Sequence, residues 1–412
     1  MLLAGGMGFY VQQILIGHQR TEAALRGIPR GNLSDLYPRW LGARELLLHH
    51  RDPYSPEVTR EIQAGYYGRP LDASRPNDPK DEQRFAYPVY VVFLLAPTID
   101  LPFSAVQTGF RWLLVALTAW SVWLWLRVLR WKVSCSAQAI LMLLAVFSFP
   151  VLQGVKLQQL SLLVGGFIAG AMVLLQGHLA AAGVLLALAT IKPQLVLPLC
   201  AWILLWACSD WRRRQNVVWG FVATMAALLG GAEYIFPGWF SRFREAIAAY
   251  RQYSDGAESV LEVLLTPIGG RIVALVLVTA LAIGCWRYLR TPADSVNFGQ
   301  ILALILTTTV IVVPKAAPYN QVLLIPGVSL VLQRWATLSV QRLTIRIMLW
   351  ICALVVFWPW LASFALTVAA AFSSSSTIQR AWALPLYTNF AAPIAVFLMV
   401  AYVWRMERAA KP

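Results

Sequence analysis

LQQLSLLVGGFIAGAMVLLQGHLAAAGVLLALATIKPQ, residues 157–194, decides the fold class. It holds two apolar runs, 159–176 and 178–191, closed by a lone basic residue, Lys192, in front of a proline. An α-helix rises 1.5 Å per residue, so about 20 apolar residues cross a hydrocarbon core of roughly 30 Å. Similar runs lie on both sides, at 85–101, 104–126, 134–152, 193–208, 216–236, 265–286, 297–313, 320–333, 346–370 and 389–404. Several are short, several are broken by Pro, and Trp and Tyr crowd their ends as an interfacial belt would. The pattern predicts an all-α polytopic membrane protein, a bundle of about 11–12 transmembrane helices.

Composition agrees. Of 412 residues, 59% are hydrophobic and 13% charged, against about 45–50% and 25% in soluble domains. A net charge of +15 would suggest nucleic acid in a soluble chain. Here the basic residues sit between apolar runs, as in RVLRWK (127–132) and WRRR (211–214), where they set membrane orientation. Membrane lipids, not nucleic acid, are the expected surroundings. The five cysteines lie in or beside apolar runs without a close Cys-x-x-Cys pair, and read as small buried hydrophobes. The four histidines are scattered, so neither metal nor cofactor is predicted.

Orientation follows from the basic loops. Residues 127–132, 211–214, 287–290, 334–346 and 405–411 are expected in the cytoplasm. The outward tips are then 152–159, 191–194, 237–262, 313–321 and 371–388. Residues 1–17 form a retained first span, because no basic residue precedes the run and no cleavage signal follows it. Residues 18–84 form a large extracytoplasmic loop, and 85–412 the transmembrane bundle with short outward loops. Asp35–His50 has helical spacing, with Leu36, Trp40, Leu47 and Leu48 on one face, as in a helix lying along the membrane surface. Run 85–101 is short and carries Pro88, Pro97 and, just beyond, Pro102, which suits a re-entrant or interfacial piece.

Polar groups at membrane depth are expensive and mark function. Asp35 is either a helix-terminal acid paired with Arg39 at i+4 or a general base at the membrane surface. Lys192 either snorkels or holds a phosphate. Lys315, Tyr319, Asn320 and Gln321 lie in VPKAAPYNQVLLIP (313–326), where two prolines force an irregular backbone. Gln158 and Gln159 can cap a helix or bind sugar hydroxyls. Tyr54, Tyr66, Tyr67, Tyr87 and Tyr90 can anchor at the interface or stack on sugars and polyprenyl chains. The acids Asp78, Asp81 and Glu82 read as a solvated turn rather than a metal site.

These pieces, in this order, resemble the membrane glycosyltransferases of family 87, which have the GT-C architecture. The matching segments are SDLYPRWLGARELLLHHRDPY (34–54), FAYPVY (85–90), residues 157–194 and residues 313–326. The resemblance implies a glycosyltransferase at the plasma (inner) membrane. It would move mannose or another sugar from a polyprenyl-phosphate carrier to a lipid or glycan acceptor on the extracytoplasmic face. The family's first-loop aspartate, its general base, maps onto Asp35. Its Lys-Pro position maps onto Lys192, a donor-phosphate ligand together with Lys315 and Arg39. Its late Pro-Tyr segment maps onto Pro318 and Tyr319. Tyr54, Tyr87, Gln158, Gln159, Tyr319, Asn320 and Gln321 would line the substrate. A lone carboxylate favours direct displacement with inversion. The first-loop insertion at 65–84 has no counterpart in the family pattern. The competing reading is a transporter or flippase for a lipid-linked sugar, which would show internal repeats; none stands out.

Overall fold

The computed structural model describes residues 1–27, 34–72, 74–253 and 258–409. Residues 28–33, 73, 254–257 and 410–412, parts of the expected loops 18–84 and 237–262 and of the basic end 405–411, lie outside the described residues. Among the described residues every regular element is helical.

The helices follow the apolar runs closely: Phe103–Val128, Leu160–Leu174, Leu179–Ala189, Pro193–Cys208, Trp211–Ile235, Pro267–Trp286, Val296–Val312, Leu343–Ala369 and Ala391–Ala409. Five stretches are long and apolar enough to cross a membrane, and a sixth if the pair Cys135–Val146 and Phe149–Lys156, bent by 57°, is one span. Four shorter apolar helices, of 10–17 residues, complete the apolar set. Fewer helices reach spanning length than there are apolar runs, because Pro and polar turns cut several runs short. Helix Pro267–Trp286 exposes Ile268, Ile272, Leu275, Val276 and Ile283. A contiguous apolar face of that size belongs against lipid or protein rather than water. The protein is a polytopic, all-helical membrane protein.

The first helix continues past residue 17, as Leu2–Phe9, a π-turn at Tyr10–Leu15 and Ile16–Leu25. Segment 85–101 forms only the short helix Val91–Leu95 and a 3-10 turn at Ala96–Thr98. That is too short to span, as its prolines require. The residues 211–214, expected in a loop, instead open helix Trp211–Ile235. Arg214 folds inward and donates to the carbonyls of Trp206 (3.0 Å) and Leu289 (2.9 Å). It thus caps the C-terminal end of Pro193–Cys208, where orphan carbonyls favour a cation.

Within the first loop the helix runs Tyr37–His49 and stops at His50 in the left-handed region. Leu36, Trp40 and Leu47 pack on the core as expected, joined by Ala43 and Leu46, whereas Leu48 is exposed. Phe85 presses on Gly42, where an added Cβ would lie 2.4 Å from the ring. The helix packs on Val91–Leu95 as part of the core. Deeper in the bundle, Leu179–Ala189 and Trp211–Ile235 touch backbone to backbone. A Cβ on Gly183 would lie 2.1 Å from the Val217 carbonyl oxygen, and one on Gly220 2.1 Å from that of Ala180. Small residues at such crossings let membrane helices approach closely.

Candidate active site

The turn between Phe149–Lys156 and Leu160–Leu174 organises the site. Gln158 has φ 49°, in the left-handed region that non-Gly residues seldom adopt. Its own amide offsets the strain by donating to the carbonyls of Val155 and Lys156, both at 2.7 Å. Gln107 Nε2 donates to the Gln158 side-chain oxygen Oε1 at 3.2 Å. Gln158 therefore shapes the turn rather than facing the cluster. The residue it presents is Gln159, which is 2% exposed.

Gln159 joins an acid and a base. Its amide nitrogen donates to the Asp35 carboxylate. Its amide oxygen accepts from Lys192 Nζ at 2.8 Å. Lys192 also donates to Ser161 Oγ at 2.8 Å, and Ser161 donates to Asn320 Oδ1 at 2.8 Å. The chain Asp35–Gln159–Lys192–Ser161–Asn320 thus links four segments far apart in sequence. Lys192, 5% exposed, lies 5.0 Å from the centre of the Tyr319 ring. It sits in the break between Leu179–Ala189 and Pro193–Cys208, where Pro193 starts the second helix. A buried amine held by neutral groups and a ring face gains its charge most readily when an anion arrives beside it.

Asp35 lies two residues before the helix Tyr37–His49, not within it, and its backbone N–H donates to the Leu157 carbonyl at 2.9 Å. Burial raises its carboxyl above the ordinary carboxylate range; Arg39 is the strongest influence in the other direction, and Asp81 adds to the rise. The simple i+4 pairing is absent. The Arg39 guanidinium instead lies 4.1 Å over the Tyr87 ring, with its Nε buried and without a hydrogen-bond partner. Arg39 still acts on both Asp35 and Lys192 by its charge.

The remaining expected residues divide. Tyr54 donates to the Tyr87 carbonyl at 2.6 Å and packs on Phe85 and Phe236, so it reaches the cluster only through Tyr87. Lys315, with φ 67°, is hydrogen-bonded to the Tyr250 hydroxyl and lies 4.7 Å over that ring. Gln321 turns away, donating to Asn389 O (2.8 Å) and Oδ1 (3.0 Å). Sequence reasoning missed Ser161, Tyr250 and the influence of Asp81 on Asp35. Ser161 stands two residues after Gln159, at the start of the next helix, and that position was the only signal for it. Among the described residues no group of three or more His, Cys, Asp or Glu is placed to hold a metal ion.

Fold and site together define a membrane-embedded helical protein with an enclosed charged cluster where its first loop meets the bundle. The chain belongs to glycosyltransferase family 87: residues 85–314, more than half its length, match that family. It is a membrane glycosyltransferase. The match covers Tyr87, Gln158, Gln159, Ser161 and Lys192, and leaves Asp35, Arg39 and Lys315 outside it. No curated protein and no solved structure matches the chain.

Proposed function

We propose that the protein transfers a sugar from a polyprenyl-phosphate carrier to an acceptor hydroxyl on the extracytoplasmic face, through a GT-C-type site. Asp35 is the general base. Lys192, with Arg39, receives the phosphate, and Lys315 adds positive charge at the rim. The observation that carries this reading is the Gln159 bridge. It holds the Asp35 carboxyl and the Lys192 amine, from segments 157 residues apart (192 − 35), at the two ends of one amide.

The chemistry follows from that arrangement. The anomeric carbon of a sugar phosphate is attacked by the acceptor oxygen as the bond to the phosphate oxygen breaks. The acceptor's proton passes to Asp35, and the negative charge growing on the departing phosphate is met by Lys192 and Arg39. Asp81 also acts on Asp35 by its charge, but its carboxylate is tied to Gln83, with Oδ1 accepting from the backbone N–H at 3.1 Å. That leaves one available carboxylate, which supports single displacement with inversion. The test is incubation of purified protein with polyprenyl-phosphate mannose, glucose and arabinose, followed by lipid analysis. Transfer from one of them with inverted anomeric configuration is expected. Transfer from a nucleotide sugar alone would overturn the donor assignment.

A further inference from the structure

The first-loop insertion, residues 65–84, lies outside the family match, which begins at residue 85. It is nonetheless held firmly against the helix that leads into it, Pro56–Tyr67, which ends at Gly68 with φ 84°. Gln63 accepts from the Leu71 backbone N–H and donates to the Glu82 carbonyl, both at 3.1 Å, so one side chain ties down both limbs of the insertion. Tyr67 donates to the Asp81 carbonyl at 2.7 Å. The insertion's arginines are engaged by its own acids: Arg69 forks onto Asp78, Arg75 lies 3.6 Å from Asp72, and Arg84 donates to Glu82. Asp81 differs from these acids. Among the described residues it pairs with no basic side chain. Its Oδ1 accepts from the Gln83 backbone N–H and its Oδ2 from Gln83 Nε2, both at 3.1 Å. Those bonds hold Gln83 in the left-handed region, φ 51°, where a non-Gly residue is strained.

Tyr66 adds a second unused group. It is 5% exposed, and its ring meets the Tyr67 ring edge-on with centres 4.7 Å apart. Its hydroxyl makes no hydrogen bond among the described residues. Burial apart, the charge of Asp35 is the strongest influence on that hydroxyl, and the charge of Asp81 acts on both Tyr66 and Asp35. The three groups therefore lie close together beside the base. A carboxylate has about four acceptor positions, and Gln83 takes two of those on Asp81. The pair thus offers a hydroxyl that can donate and accept and an acidic oxygen fixed in place, the complement of a neutral hydroxyl group and not of a phosphate. On the other side of Asp35, Gln159 leads to Lys192. The site is polarised across Asp35, basic towards Lys192 and acidic towards Asp81.

We propose that Tyr66 and Asp81 read the acceptor hydroxyl next to the one that attacks, and so set which position of a sugar or polyol receives the new linkage. The attacking hydroxyl gives its proton to Asp35. Its neighbour donates to Asp81 and accepts from Tyr66, which fixes the acceptor in one orientation at the base. This role rests on the transferase reading above and gives the insertion a specificity function within it. Water or a simple alcohol has no second hydroxyl and gains nothing from the pair. A hydrogen bond to a charged group contributes roughly ten- to a hundred-fold, and one between neutral groups roughly a few-fold to ten-fold, so Asp81 dominates the choice.

The test uses the full chain in phosphatidylcholine nanodiscs with polyprenyl-phosphate mannose, glucose or arabinose. The acceptor probes are octyl mannoside, glucoside and galactoside, their monodeoxy analogues, and dodecanol; hydrolysis of the donor reports water as acceptor. The unaltered protein should glycosylate one of the octyl glycosides at a single position and dodecanol poorly. Asp81→Asn should lower kcat/KM for that glycoside by about ten-fold or more, and Tyr66→Phe by roughly a few-fold to ten-fold. Both should yield a second linkage isomer, read by methylation analysis. Both changes are nearly isosteric, and unchanged donor hydrolysis should show that Asp35 and the donor site are intact. One monodeoxy analogue should lose as much with the unaltered protein as the parent glycoside loses with Asp81→Asn, and should lose no more in that variant. Unchanged rate and linkage in both variants overturn the proposal. An equal fall in hydrolysis and transfer would make Asp81 only a charge acting on Asp35, and overturns it too. Donor hydrolysis without transfer to any octyl glycoside overturns the pair and leaves the donor reading standing. A donor neither hydrolysed nor transferred removes the donor reading, and the pair with it.

Discussion

A carboxylate can take a proton as a glycosidic bond forms, and an amide cannot. General-base assistance is typically worth about 10²–10⁴-fold, so Asp35→Asn should lose turnover by that factor while the near-isosteric side chain still accepts from Gln159. A stable, inserted Asp35→Asn protein with near-normal transfer would remove Asp35 from the mechanism. Burial raises the Asp35 carboxyl above its ordinary range, so the ionised base should accumulate only at higher pH than for an exposed aspartate. The pH profile of kcat/KM should rise through that raised value, and the limb should be missing in Asp35→Asn. The sign for stability is the opposite. The folded chain binds this proton more tightly than the unfolded one, so the group's contribution is largest at low pH. It declines as pH rises from the unfolded carboxylate value through the raised folded value. At Lys192 the need is for positive charge against a leaving phosphate. Lys192→Ala should therefore depress donor use far more than Lys192→Arg, measured as kcat/KM for the polyprenyl-phosphate sugar. Near-normal activity in both would leave Lys192 as a structural link between Gln159 and Ser161.

At the scale of elements, hydrophobic pattern and proline made most helices legible, because both act locally. Most apolar runs became helices with nearly the expected ends, run 134–152 became a bent pair, run 320–333 a 3-10 turn and a short helix, and run 85–101 with its prolines a five-residue helix and a 3-10 turn. The site was less legible because it depends on contacts between distant elements. Gln158 and Gln159 look alike in sequence, yet one locks a left-handed turn and the other bridges Asp35 to Lys192. Gln321 lies beside Asn320 but faces Asn389. Nothing in a local pattern could show these differences. Backbone contact between Leu179–Ala189 and Trp211–Ile235 matters for the same reason, because the first of these helices ends at the turn that carries Lys192. Any Cβ at Gly183 meets the Val217 carbonyl at 2.1 Å, so Gly183→Val should push the helices apart. We expect a lower thermal midpoint in detergent together with reduced donor affinity. An unaltered midpoint would show that the two helices slide apart without strain.

At the scale of the whole molecule, contacts sort the connections into two ends. Asp35, Gln159, Lys192 and Asn320 meet in one hydrogen-bonded chain, so the first loop, the 157–159 turn, the Lys-Pro break and the 313–321 segment lie at one end. At the other end Arg130 pairs with Asp294 at 2.8 Å, Gln333 donates to the Leu129 carbonyl at 3.1 Å, and Arg334 pairs with Glu407 at 2.7 Å. Arg214 binds the carbonyl of Leu289 there at 2.9 Å. This second end collects RVLRWK, WRRR and the basic connections near 287–290 and 334–346. Lys and Arg in short loops are retained on the cytoplasmic side, so the end carrying Asp35 should face outward, where a polyprenyl-phosphate sugar is presented away from nucleotide pools. Arg75→Cys and Arg212→Cys report the two ends in a background whose five native cysteines are replaced. In intact cells an impermeant maleimide should label position 75 and not position 212, and both after permeabilisation. Labelling of 212 alone from outside would invert the whole assignment at once, because hydrogen bonds within each end tie its segments to the same face.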